Sequence, residues 1–229
     1  MAKIAVIGAG KWGSALFDAF SFQNECVITS RTKKDIPNFV SLEEALKCEY
    51  LVFSLSSQIT KSWLEKNFVY NNQKILVASK GINAKSGEFL HEIFAKFVGE
   101  DSLATLSGPS FSSEVLKKLP CAVVVSSKND NLAKEFCSFF PHYIKAYSSD
   151  DVIGAEVCGA YKNVIAIASW VCKAVNVTKN AGRLLPHHFT FSTSSKQSGS
   201  LLSVALSLGL PQPFVKWNYI LEQLGLSSY

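Results

Sequence analysis

The 229-residue sequence lacks the features that would tie it to an oxidising compartment or a membrane. Its six cysteines, Cys26, Cys48, Cys121, Cys137, Cys158 and Cys172, form no CxxC pair and no histidine stands at zinc-finger spacing from them. Scattered thiols of this kind are those of a reducing compartment, mostly buried, so a disulfide framework is excluded and no metal site is expected. The adjacent His187 and His188 do not change this, because neighbouring side chains point apart in regular structure. The opening MAKIAVIGAG has no basic segment or small-residue cleavage site of a secretory leader. One stretch, 152–172, approaches the length of a membrane span, and Glu156, Lys162 and Asn163 interrupt it. The chain is therefore read as cytoplasmic, without membrane insertion.

Acidic residues are also missing from one end. Glu222 is the only acid from 157 to 229, and no aspartate follows Asp151. The basic residues form no stripe and the net charge of +5 is mild, which argues against a nucleic-acid partner and leaves room for a small anion.

What is present is a core: 48% of the residues are hydrophobic. Short β-branched runs at 3–8, 25–30, 50–55, 74–79, 103–107, 121–126 and 142–147 alternate with segments of helical spacing. That alternation predicts an α/β fold, a doubly wound, mostly parallel sheet with helices on both faces. Ser41, with Glu44 three residues on, predicts a capped helix start. From residue 150 one long helical pattern follows with no further strand, so the domains are placed at 1–149 and 150–229.

The first strand runs into Gly8-Ala9-Gly10-Lys11-Trp12-Gly13, and a helical pattern opens at once. In this context G-x-G-x-x-G is a dinucleotide fingerprint: Gly8 for the tight turn, Gly10 for approach of the pyrophosphate, Gly13 for close helix–strand packing. The second strand ends in Ser30-Arg31-Thr32-Lys33-Lys34, with no acid until Asp35, which leans towards NADP over NAD.

Three later loops sit where open α/β sheets place ligands. LVFSLSSQ (51–58) offers Ser56, Ser57 and Gln58, which could line the nicotinamide ribose or cap the helix that follows, capping being the role read for the serines. ASKGI (78–82) aims Lys80 at an anion. SGPSFSSEV (107–115) gathers hydroxyls and N–H groups at a turn fixed by Gly108 and Pro109. Beyond them, GAYKN puts Lys162 in the apolar run, with Gly159 and Ala160 keeping the backbone slim beside it. Glu156 and Asn163 do not share its helix face.

Taken in order, GAGKWG, SKGI, SGPSF and GAEVCGAYKNVIAIASWV resemble the bacterial-type NAD(P)-dependent glycerol-3-phosphate dehydrogenase family over roughly residues 1–180. The resemblance implies a Rossmann-type domain followed by a helical substrate domain, and reduction of dihydroxyacetone phosphate to glycerol 3-phosphate for phospholipid synthesis. It carries the general-base role onto Lys162, with Tyr161 where the family has leucine. It also carries substrate contact onto Lys80, Gly108 and Ser110, and cofactor contact onto Trp12, Arg31, Lys80 and Ser112. A lysine desolvated in a cleft suits that base role, because burial lowers its pKa towards neutrality.

After Asn180-Ala181-Gly182-Arg183 the family's pattern is left behind. Neither its GxGDL aspartate nor its SRN arginine appears, and Arg183 is the last arginine. The Ser/Thr-rich text there is read as a frame-disrupted or internally deleted stretch, and the helical domain as shortened. Such a domain would expose apolar surface of 152–172, which predicts a homodimer or poor solubility. The alternatives are a non-catalytic NADP-binding remnant and a hydroxyacid or ketopantoate-type reductase.

Overall fold

The structure is a computed structural model, and it describes residues 3–108 and 110–160. Seven strands form one sheet: β1 (Lys3–Ile7), β2 (Glu25–Thr29), β3 (Tyr50–Phe53), β4 (Lys74–Val77), β5 (Leu103–Ser107), β6 (Cys121–Ser127) and β7 (Ile144–Ser149), in the spatial order β2-β1-β3-β4-β5-β6-β7. Each of the seven strand runs read from the sequence is a strand here.

The first five strands are mutually parallel, from Ile7 opposite Thr29 and Phe53 to Val77 opposite Thr105. β6 turns antiparallel to β5, and β7 runs parallel to β6. The reversal has a local cause. A parallel return needs a long crossover, usually a full helix, and the connection 108–120 holds only the five-residue α5 (Ser112–Leu116).

The central strands β1, β3, β4 and β5 are buried on both faces, as a sheet covered by helices must be. Along β1, Ile4 and Val6 join one core with Leu16 and Phe20 of α1 (Lys11–Phe20), Val115 of α5, and Leu132 and Phe136 of α6 (Asp130–Ser138). Ala5 and Ile7 point the other way, into a core with Ala45 of α2 (Leu42–Ala45), Leu64 of α3 (Ser57–Asn67), and Leu90 and Phe94 of α4 (Leu90–Ala95). The two-residue period of β1 thus serves both layers, which is the Rossmann-type doubly wound arrangement.

Ser41 caps α2 by accepting a hydrogen bond from the Glu44 N–H at 3.2 Å. α4 starts only at Leu90, because Gly87 sits at φ +71° in a turn closed by its N–H on the Asn83 carbonyl. After β7, Asp151 caps a helical run over 152–160, accepting from the Gly154 N–H at 2.9 Å. The first compact unit of the chain, Met1–Gly159, includes most of that run.

Cys26 and Cys48 are buried, while Cys121, Cys137 and Cys158 are half-buried, and all five are free thiols. Burial pushes the pKa of Cys26 and Cys158 up to about 12, so they behave as apolar filler. Among the described residues, no helix is long and apolar enough to cross a membrane.

Candidate functional site

β1 has β2 on one side and β3 on the other, so the chain leaves it in opposite directions and opens a crevice beyond the carboxyl ends of these strands. The glycine turn lies at this crevice. Gly8 donates its N–H to the Thr29 carbonyl at 2.9 Å, which holds the turn against the end of β2. Its φ of +112° is one that side chains rarely adopt, and a Cβ there would sit 2.4 Å from the Ser54 carbonyl oxygen.

At Gly13 a Cβ would fall 1.7 Å from the Gly8 oxygen, so only glycine lets α1 pack this close. Gly10, the N-cap of α1, differs: a Cβ there would meet nothing within 4 Å. Two glycines are filled by protein, and the one between them faces open space at a helix N-terminus. These residues fit a dinucleotide pyrophosphate, with the unpaired N–H groups and dipole of the ten-residue α1 as its partners. Lys11, the first residue of α1, is exposed beside them.

A second group forms where α1 meets the ends of β4 and β5. The Trp12 indole N–H donates to the Ala78 carbonyl at 2.9 Å. Lys80 Nζ lies 5.2 Å from the centre of the Trp12 ring and donates to the Gly108 carbonyl at 3.3 Å. Gly108 takes φ +121°, with Ala122 and Val123 backbone about 3 Å from where a Cβ would be. Ser110 is buried and its N–H donates to Gly108 at 3.0 Å, and Ser112 opens α5, which packs on α1. Residues far apart in sequence, Trp12, Lys80, Gly108 and Ser110, are thus brought to one place.

The loop carrying Lys80 is braced. Gln58 donates to the Ile82 carbonyl at 3.1 Å and accepts from the Ala84 N–H at 3.0 Å. Asn83, buried, accepts from Lys85 and Ser86 N–H and donates to the Ser57 carbonyl. Gln58 therefore ties α3 to the loop, where the sequence suggested a ribose contact. Ser56 stands at the N-cap of α3 as expected, yet its side chain makes no capping hydrogen bond.

Arg31 is exposed at the end of β2, apart from the Trp12 and Lys80 group. Lys162, Asn163, Arg183, His187 and His188 lie outside the described residues, as does most of the expected helical domain.

One pair was not foreseen. Glu156 accepts from the His91 backbone N–H at 3.1 Å through Oε1, and its Oε2 meets His91 Nδ1. The carboxylate is 9% exposed and the imidazole 17%, so the pair joins the start of α4 to the helical run 152–160 away from water. Burial works against the imidazolium, but Glu156, with Glu92 and Glu100, outweighs it and raises the His91 pKa above 6.5. The signal available in the sequence was Glu156 itself, a carboxylate in an apolar run that had to find a partner.

Two models of one family match the chain. The NAD-dependent glycerol-3-phosphate dehydrogenase N-terminus matches residues 29–133, and its C-terminus matches 151–188. The chain is 62% identical over 179 residues to the glycerol-3-phosphate dehydrogenase [NAD(P)+] of Campylobacter lari, covering 78% of this chain and 60% of that protein. It is 56% identical over 185 residues to that of Sulfurimonas denitrificans, covering 81% and 62%. It therefore spans about three-fifths of the length of these curated relatives.

Among solved structures, glycerol-3-phosphate dehydrogenase from Coxiella burnetii superposes with a TM-score of 0.69 at 24% identity, over 82% of this chain and 66% of that one. That of Plasmodium falciparum gives 0.70 at 18%, over 82% and 63%. At these identities the likeness establishes the fold, and it is the fold described above. With both family models matched and sequence identity above one half to the curated relatives, the chain belongs to the NAD-dependent glycerol-3-phosphate dehydrogenase family.

Proposed function

We propose that this chain binds NADPH or NADH on its glycine turn and interconverts dihydroxyacetone phosphate and sn-glycerol 3-phosphate, the reaction that feeds phospholipid synthesis. The observation that carries the reading is the contrast within one turn: Gly8 and Gly13 cannot hold a side chain for want of room, and Gly10 lies open at a helix N-terminus. In this reading Gly8, Gly10, Lys11, Trp12 and Gly13 hold the cofactor, with Arg31 at its ribose, Lys80 between cofactor and substrate, and Ser112 beside them. Gly108 and Ser110 meet the substrate.

When bound, the nicotinamide supplies the hydride. The carbonyl oxygen of the substrate then requires a proton, and Lys162 is assigned to give it, or to take it back in the reverse direction. Lys80 brings an ammonium to the anionic substrate, held by the Trp12 ring and the Gly108 carbonyl. The reading includes a cytoplasmic location and self-association as a homodimer.

A second reading is favoured by the extent of the family match, which ends at residue 188, and by the missing GxGD aspartate and SRN arginine. It is a cofactor-binding protein without turnover. Two measurements on the full chain separate the readings. NADPH fluorescence on mixing reports binding, and absorbance after dihydroxyacetone phosphate is added reports turnover. Binding with turnover supports the dehydrogenase, and binding alone selects the second reading. If the dinucleotide is not bound at all, both fall.

A further inference from the structure

The sheet ends in β2 on one side and β7 on the other, and the two edges are finished differently. The outer row of β2 is taken up by the segment that follows it. Ile28 donates its N–H to the Asn38 carbonyl at 3.1 Å and accepts from the Val40 N–H at 3.0 Å, and Asn38 Nδ2 donates to the Cys26 carbonyl at 3.2 Å. On β7 the Tyr143 carbonyl accepts from the Cys121 N–H at 3.2 Å, and the side on which a strand presents its N–H and C=O alternates with each residue. Lys145, Tyr147 and Ser149 therefore face β6, while Ile144, Ala146 and Ser148 face outwards. Ile144 donates its N–H back to the Pro141 carbonyl at 2.9 Å. Among the described residues, no hydrogen bond reaches the outward N–H groups of Ala146 and Ser148 or the outward carbonyls of Ile144, Ala146 and Ser148.

Sheets protect an open edge with proline, a bulge or several charges. β7 has no proline, keeps an unbroken register with β6 from Ile144 to Ser149, and carries one charge, Lys145. The Lys145 ammonium lies 5.9 Å from the centre of the Tyr147 ring, and both Lys145 and Ser148 are exposed. Such a row is matched by an extended segment with acceptors facing its two donors. An antiparallel copy of β7 centred on Ala146 supplies them: each Ala146 N–H meets the second copy's Ala146 carbonyl, and each Ser148 N–H meets the second copy's Ile144 carbonyl. This register sets each Lys145 opposite the second copy's Tyr147 and neither cation opposite its counterpart, so the charges of the two strands favour self-pairing.

We propose that the outer edge of β7 is a self-association surface, on which a second copy of this chain pairs antiparallel about Ala146 and continues the sheet through both molecules. The inference deepens the homodimer reading above and rests on it, and it is independent of cofactor binding and turnover. One strand pair buries less than the roughly 1,200 Å² of a standard interface, so the dimer forms and dissociates with concentration.

Sedimentation velocity of the full chain over a series of concentrations reads the association. Ala146→Pro and Ser148→Pro each remove an outward donor and take nothing from the pairing of β7 with β6, so the chain stays folded while the dimer weakens about tenfold or more. Amide hydrogen exchange on the unaltered chain gives a second readout that needs no variant. The amides of Ala146 and Ser148 gain protection as concentration rises, whereas those of Lys145, Tyr147 and Ser149 are protected throughout. A dimer that survives both prolines, or Ala146 and Ser148 amides that exchange equally fast at every concentration, overturns the edge pairing and leaves self-association to another surface. A chain that is monomeric at every concentration removes the homodimer reading as well.

Discussion

Two lysines six residues apart show how differently the two ends of the parallel strands are built. Lys74 opens β4 at the amino edge, and its ammonium meets Glu135 at 2.9 Å, Glu49 at 3.2 Å and the Tyr50 hydroxyl at 3.1 Å. The Tyr50 O–H also donates to Glu135 at 2.6 Å. Burial works against the Lys74 charge, but these partners outweigh it and raise its pKa. Burial together with Glu135 pushes Tyr50 up to about 12. Lys80, just past the other end of β4, lies against the Trp12 ring and donates to the Gly108 carbonyl, at the end of the sheet that carries the glycine turn. A cation set between Glu49 and Glu135 ties elements together, whereas Lys80 stands beside the Trp12 ring at the edge that carries the glycine turn.

The carboxyl edge should therefore keep its fold through changes in its polar groups and lose it only where a glycine packs against backbone. Gly13→Ala drives a methyl into the Gly8 carbonyl, backbone against backbone, and should cost about 3 kcal/mol or more in urea unfolding, with loss of NADPH binding. Gly10→Ala meets no protein atom, and stability should change by no more than about 1 kcal/mol, the cost of a poorer N-cap. NADPH binding should still weaken about tenfold or more, because the methyl occupies the space of the pyrophosphate. Equal unfolding profiles for the two variants would remove the distinction between a packed and an open glycine.

The lysines give the next largest contrast. Lys74→Met leaves the half-buried Glu135 carboxylate with Tyr50 alone and should destabilise by about 1–2 kcal/mol, with the NADPH constant unchanged. Lys80→Met should do the opposite: stability within about 1 kcal/mol, and NADPH affinity about tenfold weaker. Were Lys80→Met to unfold the chain as readily as Lys74→Met, the two edges would not differ in kind.

Most of the sheet was legible because most strands are short apolar runs and the segments between them keep a helical period. What could not be read was neighbourhood. Nothing in CAVVVSS says that it pairs antiparallel with LATLS, since that follows from the shortness of α5. The glycine turn was legible in detail, because each glycine has its own steric reason and those reasons are local. The tie of Gln58 to the Lys80 loop and the role of His91 were not legible for the converse reason. Gln58 acts on Ile82 and Ala84, and His91 on Glu156, 65 residues away, and an isolated polar residue in a helical pattern does not name its partner.

His91 and Glu156 repeat the carboxylate pairing of the amino edge elsewhere in the fold. α4 begins at the end of the loop that carries Lys80, and the run 152–160 leads directly into GAYKN. The folded pKa of His91 lies above its ordinary 6.5. Below that ordinary value His91 is protonated in both the folded and unfolded chain, and the contribution of the pair is complete. As the pH rises through the raised folded value, the folded state loses the proton and the contribution disappears. The melting temperature of the chain should therefore exceed that of His91→Gln by more at about pH 6 than at about pH 8.5. Glu156→Gln should abolish that pH dependence by removing the charge that holds the proton. A gap that stays level across this range would mean that the imidazole is neutral throughout and serves only as a hydrogen-bonded spacer between α4 and the run 152–160.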